Sequence, residues 1–267
     1  MPDPARAVIL RAGKLAALGL LHGFSTRTGG VSRGAFSSLN LSRDVGDEPA
    51  AVEENRRRLA RLGAFDPDRL VEMRQEHSDR VIVLPAGPEP PADARGDALM
   101  AFGGDAVLGV RTADCLAVLL ADRRRRAVAA VHAGWRGTLA EVVRRAVEEL
   151  ARRGCDPGDL VAALGPCIRA CCFTVGPEVA ERFVREQDPG LARRDGEGRW
   201  HVDLAGANRR QLIRAGVPDA AIEDLSLCSA CRAELFFSHR RDRGRTGRNL
   251  AFISLAPAGG PADPGGI

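Results

Sequence analysis

Three side chains suited to metal or nucleophilic chemistry stand at the ends of apolar runs: His77, Cys115 and His132. Cys115 opens onto LAVLLAD and His132 closes AVAAVH, with Arg123 to Arg126 between the two runs. The runs read as a strand hairpin and the arginines as its solvated turn. Antiparallel pairing sets the start of one strand beside the end of its partner, thiol next to imidazole. His77, in RQEHSDRV, stands just before another apolar run, RVIVL. One thiolate and two imidazoles suit a tetrahedral zinc with an open fourth position, the arrangement of catalytic rather than structural zinc. A metal or a neighbouring imidazolium also lowers a thiol pKa and favours thiolate. Spacing alone does not enforce this, because these three residues form neither a CxxC pair nor an HExxH helix. A cysteine beside an apolar strand is commonly core packing. His77, flanked by Gln75, Glu76, Ser78 and Asp79, equally reads as a polar surface residue. His132 is different: an imidazole ending a buried strand requires a partner.

The elements that position these residues follow from the apolar pattern. Residues 71–165 hold the short β-like runs RVIVL, AVLGV, LAVLL and AVAAVH, separated by Pro, Gly and charge clusters. A helix is expected from Glu48 through Leu62, with Pro49 in its first turn and Gly63 closing it. A second is expected from about Leu139 to Arg153, with Val142, Val143, Ala146, Val147 and Leu150 on one face and Gly154 as its cap. The last third alternates again: LVAALG as strand, PEVAERFVREQ and DLAGANRRQLIRAG as helices, NLAFISL as the final strand. No clean run of βαβ units supports a doubly wound sheet, so the class is α+β or layered α/β. No composition break marks a linker. Residues 1–255 therefore read as one catalytic domain, and the Pro/Gly-rich stretch 256–267 as a disordered tail.

Composition excludes several classes. At 267 residues, 45% apolar and 28% charged, the chain is an ordinary globular protein. No apolar run approaches the roughly 20 residues of a membrane span, and no signal peptide is read, so a cytoplasmic location with no membrane partner is expected. The net charge of +4 is nearly all arginine and spread along the chain, unlike a nucleic-acid footprint, which clusters on one element. Nucleic acid is therefore not expected as a partner. Seven cysteines in a reducing compartment are packing residues, ligands or nucleophiles rather than a disulfide framework.

Other candidates divide by role. Arg27, in the Gly-rich segment HGFSTRTGGVSRGAFSSLNLS, and Arg136, in HAGWRGT, could fork around a phosphate, helped by N–H groups of Gly29, Gly30 or Gly137. Equally, both arginines could pair with carboxylates such as Asp44 or Asp114. Asn40 could meet a ribose hydroxyl or cap a turn. Asp114, beside Cys115, could orient a ligand or point away along the strand. Cys167, Cys171 and Cys172 fit no standard zinc spacing and read as packing. Cys228 and Cys231 form a CxxC with no further ligand pair in view, although His239 lies nearby in sequence and a structural metal site stays open as the lesser reading. His22 and His201 read as ordinary polar residues.

The order GFSTRTGGVS, SLNLS, QEHSDRV, GDALM, TADCLAVLLAD, HAGWRGT, GPCI, CCFTVG, FFSHRR and TGR resembles the laccase-domain, or polyphenol oxidase, family over about residues 22–255. Its purine nucleoside phosphorylase subgroup and bacterial peptidoglycan-editing factors are included in that resemblance. It implies a layered α/β/β/α fold with mixed sheets. It implies that His77, Cys115 and His132 ligate metal. It also implies phosphorolysis of adenosine, inosine and S-methyl-5′-thioadenosine, with adenosine deamination as a second activity; nucleoside and phosphate are then the partners. Copper laccase chemistry is disfavoured in advance, since true multicopper sites need many His in HxH pairs and this chain has five His and no such pair. Family members often carry Tyr-Glu where this chain has Phe173-Thr174, and Tyr where it has His239, which bears on substrate preference. A cysteine hydrolase using Cys115 and His132 on an amide of a peptidoglycan precursor, and a non-catalytic metal clamp, remain the alternative readings.

Overall fold

A strand that alternates polar and apolar residues faces water on one side. LAVLLAD and VAAVHA do not alternate, so the sheet that holds them must be covered on both faces. The computed structural model describes residues 8–84 and 93–257, and in it every residue of Leu116–Asp122 and Val128–Ala133 is buried. The strands in chain order are β1 (Ile9–Leu10), β2 (Leu20–Ser25), β3 (Leu70–Val71), β4 (Val81–Val83), β5 (Ala98–Ala101), β6 (Val107–Thr112) and β7 (Leu116–Asp122). They continue with β8 (Val128–Ala133), β9 (Leu160–Leu164), β10 (Thr174–Val175), β11 (Ala192–Arg194), β12 (Trp200–Val202), β13 (Ile222–Asp224) and β14 (Asn249–Pro257). The α-helices are α1 (Gly13–Ala16), α2 (Pro49–Gly63), α3 (Trp135–Leu139), α4 (Val142–Arg152), α5 (Pro177–Glu186) and α6 (Leu204–Arg214).

Two mixed sheets carry the fold. One has the order β1-β2-β14-β6-β3, the other β13-β9-β7-β8-β5-β4, and a small third sheet is β10-β12-β11. The two large sheets pack face to face over a core that includes Phe24, Leu108, Leu119, Ala130 and Ile253. The outer face of the β7–β8 sheet is covered by α4 and α6, through Val143, Ala146, Val147, Leu150 and Leu212 against Val118, Leu120 and Val131. The outer face of the other sheet is covered by α2, where Leu59 meets Leu21, Val107 and Phe252. The class is α+β with the layers α/β/β/α, as the resemblance implies.

Three expectations shift at their edges. The helix expected from Leu139 is two: α3 ends at Leu139, and Glu141, in a left-handed conformation (φ 62°), restarts the chain as α4. Helix α2 includes Gly63, and Ala64 (φ 58°) supplies its left-handed cap. Residues 256 and 257 belong to β14, while 258–267 lie outside the described residues.

The Gly-rich segment is a packed loop. Asn55 of α2 is fully buried; its Oδ1 accepts from Val31 N–H and its Nδ2 donates to Ser32 Oγ, Ser38 O and Asn40 O. At Gly30 a Cβ would lie 2.1 Å from Ser38 O, so the two arms of the loop touch only because that residue has no side chain. Asn55→Ala strips partners from several buried backbone groups at once. It is expected to lower stability by about 3 kcal/mol, taking 1–3 kcal/mol for each orphaned group and partial hydration. A urea midpoint within error of the parent would refute this account of the loop.

Candidate metal centre and active-site cleft

Strand pairing assembles the site. Antiparallel register sets Ala117 opposite His132, so Cys115 lies just ahead of β7 at the end where β8 finishes. On the other flank, β5 pairs with β8 and brings Asp97 beside His132. The ligand atoms of His77, Cys115 and His132 all lie within 4.8 Å of one another, with Cys115 Sγ 3.8 Å from His77 Nε2. The two imidazoles meet edge to face at 4.9 Å. Gly134 makes room for this: a Cβ there would lie 2.8 Å from His77 Cδ2 and 3.0 Å from Cys115 Sγ.

Asp97, which the sequence reading did not single out, organises the cluster. Its carboxylate is sealed from solvent. It accepts from His132 Nδ1 at 2.8 Å, from the N–H of His77 at 3.0 Å, and from Ser78 N–H and Oγ–H at 2.6 and 2.8 Å. His77 has φ 61°, an uncommon conformation for a side-chain-bearing residue, and the carboxylate's grip on its N–H and its neighbour's holds it there. With Nδ1–H turned to Asp97, His132 presents Nε2 to the cleft, the carboxylate–histidine pairing typical of a metal ligand. The only sequence signal for Asp97 was the need of a ligating His for a carboxylate partner, and 35 acidic residues compete for that role.

The electrostatics follow from this packing. Burial acts to push the Cys115 thiol up, but the charge of His132 and hydrogen bonds from His132 and His77 outweigh it and bring it down to about 6. Burial likewise acts to lower His132, and is overcome by the Cys115 thiolate and by Asp97, which raise it to about 9. Near neutral pH and without metal the pair is thiolate and imidazolium; a metal at Nε2 would displace that proton and leave the Nδ1–H on Asp97. A thiolate with two imidazoles is the donor set of a borderline-soft divalent cation, so these residues fit zinc.

The cluster lies in a cleft of about 540 Å³, within the usual range for small-molecule sites. Arg111, Arg136, Arg240 and Arg248 line it, with Trp135, Phe173 and His239. Arg111 is neutralised by Asp44 at 2.7 Å and Glu72 at 3.3 Å. The others make no ion pair with a carboxylate among the described residues. Arg240 donates to Thr174 O and Oγ1, Arg248 to Thr246 O and Gly247 O, and Arg136 lies over the Trp135 ring at 4.4 Å. The cleft therefore holds three arginines free of direct ion pairs among the described residues next to the His–Cys–His cluster, with Asp114 and Cys115 acting on Arg248 through space. Arg111, Arg240 and Arg248 were not singled out in the sequence, where thirty-nine basic residues dilute the signal. Phe173 and His239, two of the departures from the family pattern, are in the lining, and Thr174 holds Arg240.

Two expected substrate contacts are placed elsewhere. The Arg27 guanidinium donates to Ser37 O and Ala233 O and stacks on Phe237 at 4.6 Å, away from the cleft and paired with neither Asp44 nor Asp114. Asn40 is fully buried; its amide donates to Ser42 O and Asp47, and its Oδ1 accepts from Arg248 N–H, so it steadies an arginine instead of meeting a sugar. The N–H of Gly30 is taken by Ser38 Oγ. Asp114 points away from Cys115, accepting from Ser229 Oγ–H and Arg240 N–H. His22 and His201 are buried polar residues with local partners: His22 bonds Leu20 O, and His201 bonds Ala170 O and Asp195. Cys167 does pack in the core and Cys172 packs against its edge, while Cys171 is exposed; the sulfurs of Cys171 and Cys172 also meet those of Cys228 and Cys231, a convergence that neither run announces by itself.

Two outcomes are expected. In metal-free protein, iodoacetamide labelling of Cys115, followed by peptide mass spectrometry, should be half-maximal near pH 6 and flat above pH 7, because the reactive thiolate is already formed there. His132→Ala leaves burial with one fewer opponent and should move the midpoint upward, above 8; the same profile in both proteins would refute the pairing. Separately, Gly134→Ala, which drives a methyl into His77 and Cys115, and Asp97→Asn, which removes the anchor of both imidazoles, should each weaken metal affinity by about 10–100-fold. Competition with a chromogenic chelator measures this, and unchanged affinity in both variants would show that the cluster does not hold metal.

The comparisons agree with this geometry. Residues 21–256 match the family described as multi-copper polyphenol oxidoreductase laccase. A purine nucleoside phosphorylase of Deinococcus radiodurans is 41% identical over 248 residues, which cover 92% of this chain and 92% of that protein. Adenosine deaminase RL5, from an unknown prokaryotic organism, is 39% identical over 244 residues, covering 87% of this chain and 93% of its own. The crystal structure of the Bacillus licheniformis hypothetical protein YfiH matches with a TM-score of 0.86 at 33% identity, over 96% of this chain and 98% of that one. Relatives of this identity and coverage, together with the match along nearly the whole chain, make the chain an enzyme of the multi-copper polyphenol oxidoreductase laccase family.

Proposed function

We propose that the chain is a zinc-holding purine nucleoside phosphorylase that acts on adenosine, inosine and S-methyl-5′-thioadenosine, with adenosine deamination as a second activity. The observation that carries this reading is the juxtaposition, in one cleft, of the His77–Cys115–His132 cluster with arginines that have no carboxylate partner. Both sets of relatives named above support it: one is named a purine nucleoside phosphorylase, the other an adenosine deaminase.

Phosphorolysis breaks the bond between C1′ of the ribose and the purine nitrogen, whose electron pair leaves with the base, and forms a bond from C1′ to a phosphate oxygen. The phosphate must be held as an anion beside the sugar. Arg136 and Arg248 supply charged donors for it without first giving up an ion pair, and Arg240 adds a third positive group. Trp135 and Phe173 offer flat faces to a purine. Zinc held by His77, Cys115 and His132 supplies Lewis acidity when bound. Asp97 keeps both imidazoles aimed and His132 in the Nδ1–H tautomer.

Copper laccase chemistry lacks the imidazoles of a multicopper centre here. Beyond His77 and His132 the remaining histidines are His22 and His201, buried in bonds elsewhere, and His239 in the cleft wall. Multicopper sites draw on many imidazoles. A second catalytic reading has a specific observation behind it: Cys115, His132 and Asp97 stand in the order nucleophile, base and orienting carboxylate, as a cysteine hydrolase would require. Turnover of an amide that survives chelation and is abolished by iodoacetamide would select that reading over metal-assisted catalysis.

Incubation of purified protein with adenosine and phosphate should yield adenine and ribose 1-phosphate, together with inosine and hypoxanthine. Arg136→Ala should raise KM for phosphate roughly 10–100-fold, the loss of one charged hydrogen-bond donor, and leave phosphate-independent deamination nearly unchanged. Absence of product from every nucleoside at high enzyme concentration would sink the proposal.

A further inference from the structure

Beside the cleft, two cysteine runs about sixty residues apart in the chain come together. The sulfurs of Cys171, Cys172, Cys228 and Cys231 all lie within 4.8 Å of one another, Cys231 Sγ standing 3.3 Å from Cys172 Sγ and 3.6 Å from Cys171 Sγ. Four thiolates at about 2.3 Å from one tetrahedral ion lie about 3.8 Å apart, so the spacing is that of a single ion's coordination shell. A polynuclear iron–sulfur cluster holds its cysteine sulfurs around several metal atoms and needs a wider arrangement. The CxxC of Cys228 and Cys231 is a standard half-site of tetrathiolate zinc; the adjacent Cys171 and Cys172 are not, and it is the fold that brings their sulfurs to the same spacing.

The surroundings are shaped for the sulfurs. Arg169 N–H donates to Cys228 Sγ at 3.5 Å, and the N–H of Cys231 points to the same sulfur. The loop bearing Cys171 and Cys172 is pinned from three sides: Arg169 forms a two-pronged ion pair with Asp224, His201 Nδ1 bonds Ala170 O at 2.6 Å, and Ile168 N–H donates to Asp114 O. Residues 167 and 228 are bridged as in a parallel sheet, with Ser229 N–H donating to Cys167 O. The thiols are therefore held in place by backbone that is already committed, and ordering them on an ion costs little conformational entropy. Cys167, in the same run, is excluded from the group because it faces the core, where burial pushes its thiol up to about 12.

We propose that Cys171, Cys172, Cys228 and Cys231 form a second zinc site, closed and structural, that clamps the loop 167–173 to the segment 226–241. These two stretches supply Ile168, Phe173, His239 and Arg240 to the cleft lining, so the clamp holds one wall of the site. Four sulfurs complete a tetrahedron and leave no open position, which separates this centre in kind from the His–Cys–His cluster. It stands independently of what that cluster catalyses.

Elemental analysis of protein purified from zinc-supplemented cells tests it. Cys115→Ala, which empties the cleft cluster, should keep about one zinc per chain; this zinc should exchange with cobalt to give the intense thiolate-to-metal absorption of an all-sulfur tetrahedron. A Cys171→Ser, Cys231→Ser double variant should lose that zinc and that absorption, and hydrogen exchange should rise in 167–173 and 226–241. If the double variant does not fold, the Cys115→Ala measurements decide alone. No zinc in Cys115→Ala, iron or copper in its place, a cobalt spectrum without thiolate bands, or a disulfide within the cluster in freshly purified protein would each overturn the proposal.

Discussion

One buried carboxylate sets the geometry on which the site depends. Asp97 has no contact with water, so its charge has to be met by donors. It finds them in His132 Nδ1 and in the backbone around His77 and Ser78. The same contacts that stabilise the carboxylate force His77 into its left-handed conformation and fix the tautomer of His132. Removing any one member leaves the others exposed to a desolvation cost with nothing against it. The His77–Cys115–His132 cluster is thus held in place because it is coupled to a charge that the fold has already buried.

The sandwich explains why such a charge can be placed there at all. β7, β8 and β5 are covered on both faces, and side chains at their ends emerge where the two large sheets and the loops meet. Rigid strands carry or flank Cys115, His132 and Asp97, while irregular segments supply the arginines and aromatic faces around them. The His–Cys–His cluster and the lining around it therefore rest on different parts of the chain, strand ends for the first and mostly loops for the second.

The contrast in legibility has the same origin. The central hairpin and its Cys115–His132 proximity could be read from two apolar runs and the four arginines between them, because register in a short hairpin is a local matter. Most helices were equally legible from their periodicity; the break at Glu141 was not, since nothing in the apolar pattern marks a left-handed residue. His77 needed the family pattern, as its place depends on Asp97, which stands just ahead of β5, 20 residues further along the chain. Arg27 and Asn40 carried chemistry suited to phosphate and ribose, yet both are bound up locally, Arg27 by the carbonyls of Ser37 and Ala233 and Asn40 by Ser42 O and Asp47. Arg248, whose Nη1 donates to two carbonyls, lines the cleft that Arg27 does not reach. The four-cysteine group was illegible for a plainer reason: each run is half a site, and only tertiary structure brings the halves together.

Asp114 shows how the two halves of the molecule's chemistry are joined. It sits next to Cys115 with φ 93°, a conformation disfavoured for a residue with a side chain, and its contacts offset that strain. Its carboxylate takes Ser229 Oγ–H and Arg240 N–H from one cleft-wall segment; its carbonyl takes Ile168 N–H from the other. The residue that precedes the thiol ligand is therefore the point at which both loops are fastened to the hairpin. Movement of either loop would pull on Asp114, and so on the sulfur position at Cys115. A cleft whose wall was free to drift would not only lose its arginines' aim but would also disturb the His–Cys–His cluster, which is why a wall built from irregular backbone has to be tied as tightly as this one is.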